Sequence, residues 1–511
     1  MSDFLLVLPV ILPLFGGGLL LLRKFRSGER PKRRTLECYV GILVLLNSLL
    51  VAALLLGDNL GKSRVLFYLF SDQTICFRLD RMGSVFAGLV AFLWPLATLY
   101  SFEYMKHEER ADTFFAYYVM TYGVTMGIAL AENLVTLYFF YEMLTLITFP
   151  LVLYPLTKEA TRASRKYLYY SIGGAAFAFL GLVFVLMYSS TGNTDFVPGG
   201  VLDLRKAASR QNILLFIYVL AFFGFGVKAA IFPCHGWLPA ATVAPTPVTA
   251  LLHAVAVVKS GAFAILRFTY FSFGTEFLRG TWAQWTVMAA ALVTILFGST
   301  MAVREVHWKR RLAYSTVSNL SYILFGASMM TPLGLAAALS HLVAHAFMKI
   351  CSFFCAGAVL HQTGKAYIYE LDGLGRRMPV TFGCLTAASL SLMGIPLFAG
   401  FISKWNLCQS AFSWGGEAAT MGNPGGFLPF VGVAVILYSA LMTGIYMLTV
   451  LVRAYFPQEL RSEAGAGTAS SLDPGLRMLV PLVIFVLGIL VIGLHSAPLM
   501  EFLNVIGGEA G

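Results

Sequence analysis

The chain has 511 residues, of which 58% are hydrophobic and only 12% charged, with a mean hydropathy of +0.77. A soluble domain carries roughly 25% charged residues, so a soluble enzyme, a disordered chain, collagen and a coiled coil are excluded. The net charge of +11 reads as basic residues holding loops on the cytoplasmic side of a membrane, not as a nucleic-acid surface.

Apolar runs of about 20 residues, the length of a membrane-crossing helix, recur from end to end. Fourteen spans are predicted: 4–22, 38–57, 82–101, 113–131, 133–154, 167–188, 212–232, 246–270, 283–303, 311–330, 332–360, 379–412, 428–452 and 478–499. The runs are continuously apolar, whereas outer-membrane barrel strands alternate. The expected fold class is therefore an all-α polytopic membrane protein. The first run has no basic segment before it and no small-residue cleavage site after it, so it is expected to be a span and not a removed signal peptide. The seven cysteines form no Cys-x-x-Cys pair, so no zinc or iron–sulfur framework is predicted and no cofactor is expected in this chain.

Two spans are interrupted. The seventh runs into FPCHGWLPAATVAPTP, with Pro233, Pro239, Pro245 and Pro247. The twelfth contains MGIPLFAGFISKW, with Gly394, Pro396 and Gly400. Membranes tolerate such breaks only where protein or a wet cavity satisfies the freed backbone groups. The breaks are five spans apart, which predicts two five-helix repeats over 113–270 and 283–455. Five is odd, so the second copy is inverted. Residues 1–112 form three preceding spans, and 456–511 a cytoplasmic loop and the last span. Paired breaks of this kind point to an ion or substrate site near mid-membrane.

Basic residues fix the orientation. With the N-terminus outside, 23 Lys and Arg fall on cytoplasmic loops (23–34, 106–112, 155–166, 304–311, 361–378 and 453–477) and eight on the opposite side. That asymmetry predicts both termini on the outer side of the cell (inner) membrane.

An ionisable residue within a span costs at least about 2.5–3.5 kcal/mol, so it needs a reason. Glu142 stands mid-span in LYFFYEMLTL, and Lys228 in FFGFGVKAAIF just before the first break. His253 and Lys259 lie in ALLHAVAVVKSG, six residues apart and so about 240° around a helix. His341, His345 and Lys349 are each four apart and form one stripe about 12 Å long, a spacing that suits a proton relay with water between. Lys404 follows the second break. Low dielectric disfavours a lysine's charge and a nearby carboxylate restores it, so Glu142 and Lys228 are the natural pair for holding and releasing a proton. Four lysines, one glutamate and three histidines are too many for helix association alone. Arg267 is expected to snorkel from a span end. Asp80, Arg81 and Glu132 are read as loop or interface groups.

The stretches NLVTLYFFYEMLTL, VKAAIFPCHGWLPAATVAPTPVTALLH, HLVAHAFMKICSFFCAG and LSLMGIPLFAGFISKW, in this order across roughly residues 75–410, resemble the antiporter-like membrane subunit family. Respiratory complex I, Mrp-type cation/proton antiporters and membrane-bound [NiFe] hydrogenases share that subunit. The resemblance implies fourteen helices in two inverted repeats, with Glu142 and Lys228 as the pair of the first half-channel. It implies Lys259 and His253 as connecting positions, His341, His345 and Lys349 as the central axis, and Lys404 as the terminal group of the second half-channel. Pro233 and Pro396 match its helix-breaking prolines. Ala240 and Thr242 stand where family members often carry Asp and a second His. The chain looks like the shorter, medial type of complex I homologue. The resemblance also implies partners: homologous and small membrane subunits, redox subunits in the assembled complex, lipid, and H+ or Na+, with no nucleic acid. The expected function is ion translocation within a redox-driven complex. The alternative is a subunit of a multi-chain Mrp-type sodium/proton antiporter without redox chemistry.

Overall fold

The computed structural model describes residues 3–27, 32–70, 73–190, 192–456 and 471–510. Parts of the basic loops 23–34 and 453–477 used for the orientation count lie outside them.

The chain opens with α1 (Leu8–Ser27) and α2 (Arg33–Leu56). A hairpin of β1 (Ser63–Phe70) and β2 (Gln73–Arg78) follows, antiparallel, pairing Ser63 with Arg78 and Phe70 with Gln73. This hairpin corrects the all-helical expectation. Its VLFYLF run alternates too little for a half-buried strand and is too short for a span, so its periodicity gave no signal. Next come α3 (Arg81–Tyr104), α4 (Ala111–Ala129), α5 (Leu134–Leu153) and α6 (Lys158–Tyr188). Several starts are set by side-chain caps. Asp80 accepts from Gly83 N, Asn133 from Thr136 N and Thr157 from Ala160 N, which satisfies amides that have no partner inside the helix.

The seventh span is α7 (Gln211–Gly226), which stops inside the apolar run. The eighth is two pieces, α8 (Thr246–Ala254) and α9 (Val257–Arg267), continued by a π-turn over Phe268–Phe273. No proline or glycine marks the break at Val255 and Ala256, so sequence punctuation did not reveal it. Then follow α10 (Trp282–Arg304), α11 (Trp308–Ser328) and α12 (Pro332–Thr363). The twelfth span is divided into α13 (Pro379–Met393) and α14 (Ala399–Thr420), as the glycine and proline cluster predicted. The chain continues with α15 (Leu428–Tyr455), α16 (Leu476–Leu494) and α17 (Ala497–Ala510). The last helix was not foreseen. Its Glu509 pairs with Arg81 at the start of α3, and Gly507 packs against Pro332 at the start of α12.

Among the described residues, nine helices are long and apolar enough to cross a membrane, and three shorter apolar helices accompany them. Burial grades from outside to inside. The apolar stretches within Thr246–Phe273 and Pro332–Thr363 are wholly buried within the chain, whereas that within Leu476–Leu494 is only 28% buried. α8, α9 and α12 therefore form the centre, and the outer helices turn apolar faces to their surroundings. His253, Lys259, His341, His345 and Lys349 stand in this centre.

Candidate functional site

The first break is built around Lys228. α7 ends at Gly226, and the chain turns through Ala230, which adopts a left-handed φ of 57°. Trp237 Nε1 donates to Val227 O at 2.7 Å, and Phe232 N donates to Thr294 Oγ1 at 3.0 Å. These bonds satisfy backbone groups that the broken helix frees. Gly261 of α9 passes directly beneath, where a Cβ would lie 2.9 Å from that of Lys228. Lys228 is therefore inside the break, not before it. Its ammonium donates to Tyr141 O, lies 3.2 Å from the centroid of the Tyr141 ring, and stands 3.9 Å from Glu142 Oε1. The expected pair is thus brought together, but asymmetrically. The Lys228 side chain is 0% exposed and that of Glu142 is 29% exposed.

The central groups follow. The break between α8 and α9 places His253 at the end of one piece and Lys259 at the start of the next, so the 240° reckoned for a continuous helix does not apply. Lys259 Nζ lies 2.6 Å from His345 Nδ1, in a hydrogen bond whose direction follows the histidine tautomer. α12 runs unbroken through His341, His345 and Lys349, all fully buried, and the two imidazole ring centroids are 5.8 Å apart with the planes inclined by 28°. Lys349 Nζ donates to Ser315 Oγ at 2.6 Å and to Leu312 O at 3.2 Å on α11. His253 packs against the Phe353 ring, and among the described residues neither of its ring nitrogens has a hydrogen-bond partner. His341 Nε2, His345 Nε2 and Ser260 Oγ are in the same position. Buried polar atoms of this kind call for ordered water.

The second break carries Lys404. α13 ends in Gly394, with a left-handed φ of 89°, and Leu397 also has positive φ before α14 begins. Lys404 Nζ donates to Leu392 O at 2.6 Å and to Met393 O at 3.1 Å. It thereby covers the open carbonyls at the end of α13, where a cation is favoured. His341 Nδ1 reaches Ser403 Oγ at 2.9 Å, and Ser403 in turn bonds Gly400 O. Pro245 and Pro247 open α8, Pro396 lies in the second break, and Pro233 follows the turn at Lys228. Lys228 and Lys404 therefore stand at the two breaks, Glu142 pairs with Lys228 from α5, and between the breaks Lys259, His345 and His341 are linked by a hydrogen bond and a ring contact.

Sequence reasoning missed several groups. Arg267 does not snorkel. It is wholly buried, holds Asp80 through two bonds near 2.5 and 2.6 Å, and is ringed by Phe196, Phe263 and Phe271 at 5.0–5.1 Å. Asp80 caps α3, so the charge at the end of α9 met a fixed carboxylate instead of water. Lys309, counted with a basic loop, is buried and donates to Ala244 O at 2.8 Å. Ser315, Ser403 and Tyr141 contribute contacts that no spacing rule marks.

Residues 131–422 match the family model described as NADH:quinone oxidoreductase/Mrp antiporter, transmembrane, and 71–115 match that of complex I chain 5 N-terminus. The first of these covers more than half of the chain. The chain belongs to this family of antiporter-like membrane subunits. It is 32% identical over 444 residues to a NADH-quinone oxidoreductase subunit N of Desulforudis audaxviator, covering 84% of this chain and 83% of that protein. It is 35% identical over 342 residues to a Na(+)/H(+) antiporter subunit from Alkalihalophilus pseudofirmus, a match that covers 64% of this chain but only 41% of that longer protein. Chains from two solved assemblies share its fold, across 99% of this chain and 97% of each matched chain. One is an archaeal membrane-bound sulfane sulfur reductase (TM-score 0.82, 23% identity), and the other the Mrp complex of Dietzia sp. DQ12-45-1b (TM-score 0.81, 20% identity). The chain is thus a polytopic membrane protein of a kind found in multi-subunit complexes.

Proposed function

We propose that this antiporter-like subunit moves protons, or sodium ions, within a redox-driven membrane complex of the complex I or membrane-bound hydrogenase type. The observation that carries the reading is the buried line of ionisable groups between two broken helices, joined at its centre by Lys259 and His345 at 2.6 Å. Lys228 alternates between a charged state beside Glu142 and a neutral state after passing its proton inward. The path runs by Lys259 and His253, then Lys349 with His345 and His341, to Lys404. Each transfer moves a charge in a low-dielectric interior, so it changes the proton affinity of the next group.

The same groups support two inverted five-helix repeats, 113–270 and 283–455, within fourteen spans. Residues 1–112 precede them, 456–511 follow, and both termini lie on the outer side of the inner membrane. Glu142 supports the expectation of partner chains. A partly exposed carboxylate is costly in lipid, and a homologous membrane chain packed on α5 would cover the 29% of this side chain that is exposed. Small membrane subunits complete the membrane part. The redox chemistry belongs to partner chains, and this chain holds no cofactor of its own. The second reading, an Mrp-type antiporter without redox chemistry, is favoured by the 35% identity to an antiporter chain.

The test is ion uptake into inverted vesicles, with assembly checked on native gels. Lys228→Ala and Glu142→Gln are expected to cut pumping at least about tenfold while the complex assembles. Normal pumping by an assembled Lys228→Ala complex would overturn the relay. Co-purification of dehydrogenase or hydrogenase chains separates the first reading from the second.

A further inference from the structure

On the face that carries the 304–311 loop, a cavity of about 440 Å³ opens beside the first break, with Glu159 and Lys166 of α6, Thr242 and Val243, and His307 and Arg310 around it. That volume holds several waters. The segment after the break contributes only Ala240, Thr242, Val243 and Pro239, none of which titrates. His307 Nδ1 has no hydrogen-bond partner among the described residues. Its proton is weakly held, because burial and the neighbouring Arg310 and Lys309 lower its pKa.

Lys309 stands two residues further on, in the first turn of α11. The residue is 7% exposed, and among the described residues no carboxylate pairs with it. Its ammonium bonds Ala244 O at 2.8 Å, and the same carbonyl accepts from Thr249 Oγ1 at 3.0 Å. Thr249 and His253 are four apart on α8 and so share a face one turn apart. Lys349, on the far side, is held by Leu312 O, one turn along α11 from Lys309. His253, whose ring nitrogens both lack a hydrogen-bond partner among the described residues, thus stands one turn from the Thr249 hydroxyl that shares Ala244 O with Lys309.

The geometry points to Lys309 as the residue that takes protons from this cavity and delivers them to His253, reloading the central axis. The inference rests on the proton-relay reading above. In each cycle a hydronium ion in the cavity protonates the neutral Lys309 amine and leaves water. The ammonium then gives that proton to a His253 nitrogen through water or the Thr249 hydroxyl. The resulting imidazolium passes it on along the axis, and Lys309 returns to the neutral amine. Lys309 is a relay residue because it carries the transported proton itself.

The experiment compares Lys309→Ala, Lys309→Arg and Lys228→Ala in the full complex, as proton uptake by inverted vesicles with assembly checked on native gels. Lys309→Ala is expected to pump about tenfold more slowly, with partial recovery when ethylamine is added on the cavity side. Lys309→Arg keeps the charge and can still reach Ala244 O, but does not release its proton. It is expected to assemble fully and pump as slowly as Lys309→Ala. Normal pumping by Lys309→Arg overturns the inference, because a fixed charge then suffices. Failure of both variants to assemble also overturns it and makes the side chain structural. If Lys309→Ala pumps normally while Lys228→Ala does not, the loading role fails and the relay stands. If both pump normally, the relay itself fails.

Discussion

Lys259 of α9 and His345 of α12 meet in a single hydrogen bond of 2.6 Å, 86 positions apart in the sequence and fully buried. A lysine amine and an imidazole in direct contact can exchange a proton without an intervening water. His345 also stacks near His341 at 5.8 Å, which extends the line toward Ser403 and Lys404.

This contact gives a prediction about coupling. Lys259→Met and His345→Phe should each lower pumping by about tenfold or more, and the double variant should be little worse than either. Contacting residues in one network show interaction energies of roughly 0.5–3 kcal/mol. Fully additive losses in vesicle uptake would show that the two groups act on separate paths.

Arg267 should matter for stability and not for transport chemistry. Removing one partner of a buried ion pair costs about 3–5 kcal/mol, because the other charge is left uncompensated. Arg267→Ala is therefore expected to reduce assembled complex on native gels and to lower the thermal midpoint. Asp80→Ala with Arg267→Ala should recover part of the loss. An Arg267→Ala complex as stable as the parent would show that Asp80 finds water or another cation.

Gly400 is a tight position in the second break. An added Cβ would run into the carbonyl of Ser391 and lie 3.0 Å from Met348 Sδ. Gly400→Ala should push α14 away from α13 and shift Lys404 from Leu392 O, with overpacking of about 1–3 kcal/mol. Lower yield and slow pumping are expected, and unchanged values for both would show that the break relaxes freely.

Trp237 offers a milder perturbation of the first break. Trp237→Phe keeps the ring but removes the donor to Val227 O, at a cost of roughly 0.5–1.5 kcal/mol. The complex should assemble, while pumping falls severalfold as the turn holding Lys228 loosens. Equal loss of assembly and pumping would assign the bond a purely structural role.

The sequence alone determined much of this protein. Low charge and long apolar runs required a helical membrane protein, since only helices and closed barrels satisfy backbone groups in lipid. The Gly394, Pro396 and Gly400 cluster marked the second break, because glycine and proline act locally. The four-residue spacing of His341, His345 and Lys349 fixed one face, because α12 stays helical throughout. The buried ionisable residues were legible one by one, since each is costly in a span.

What the tertiary structure decided was which of these groups meet, and which charges are buried. The α8–α9 break falls at the buried Val255 and Ala256 and has no local residue signal, so the angle between His253 and Lys259 could not be reckoned from their spacing. Arg267 read as a snorkelling residue because its partner, Asp80, lies 187 positions away. Lys309 read as one more loop cation in a basic run, and only the return of Ala244 to the start of α11 buries it. Periodicity is a property of one helix, whereas ion pairs, relays and cavities arise where distant segments cross. The sequence therefore specified the buried ionisable residues, and the crossing of α9, α11 and α12 set which of them meet.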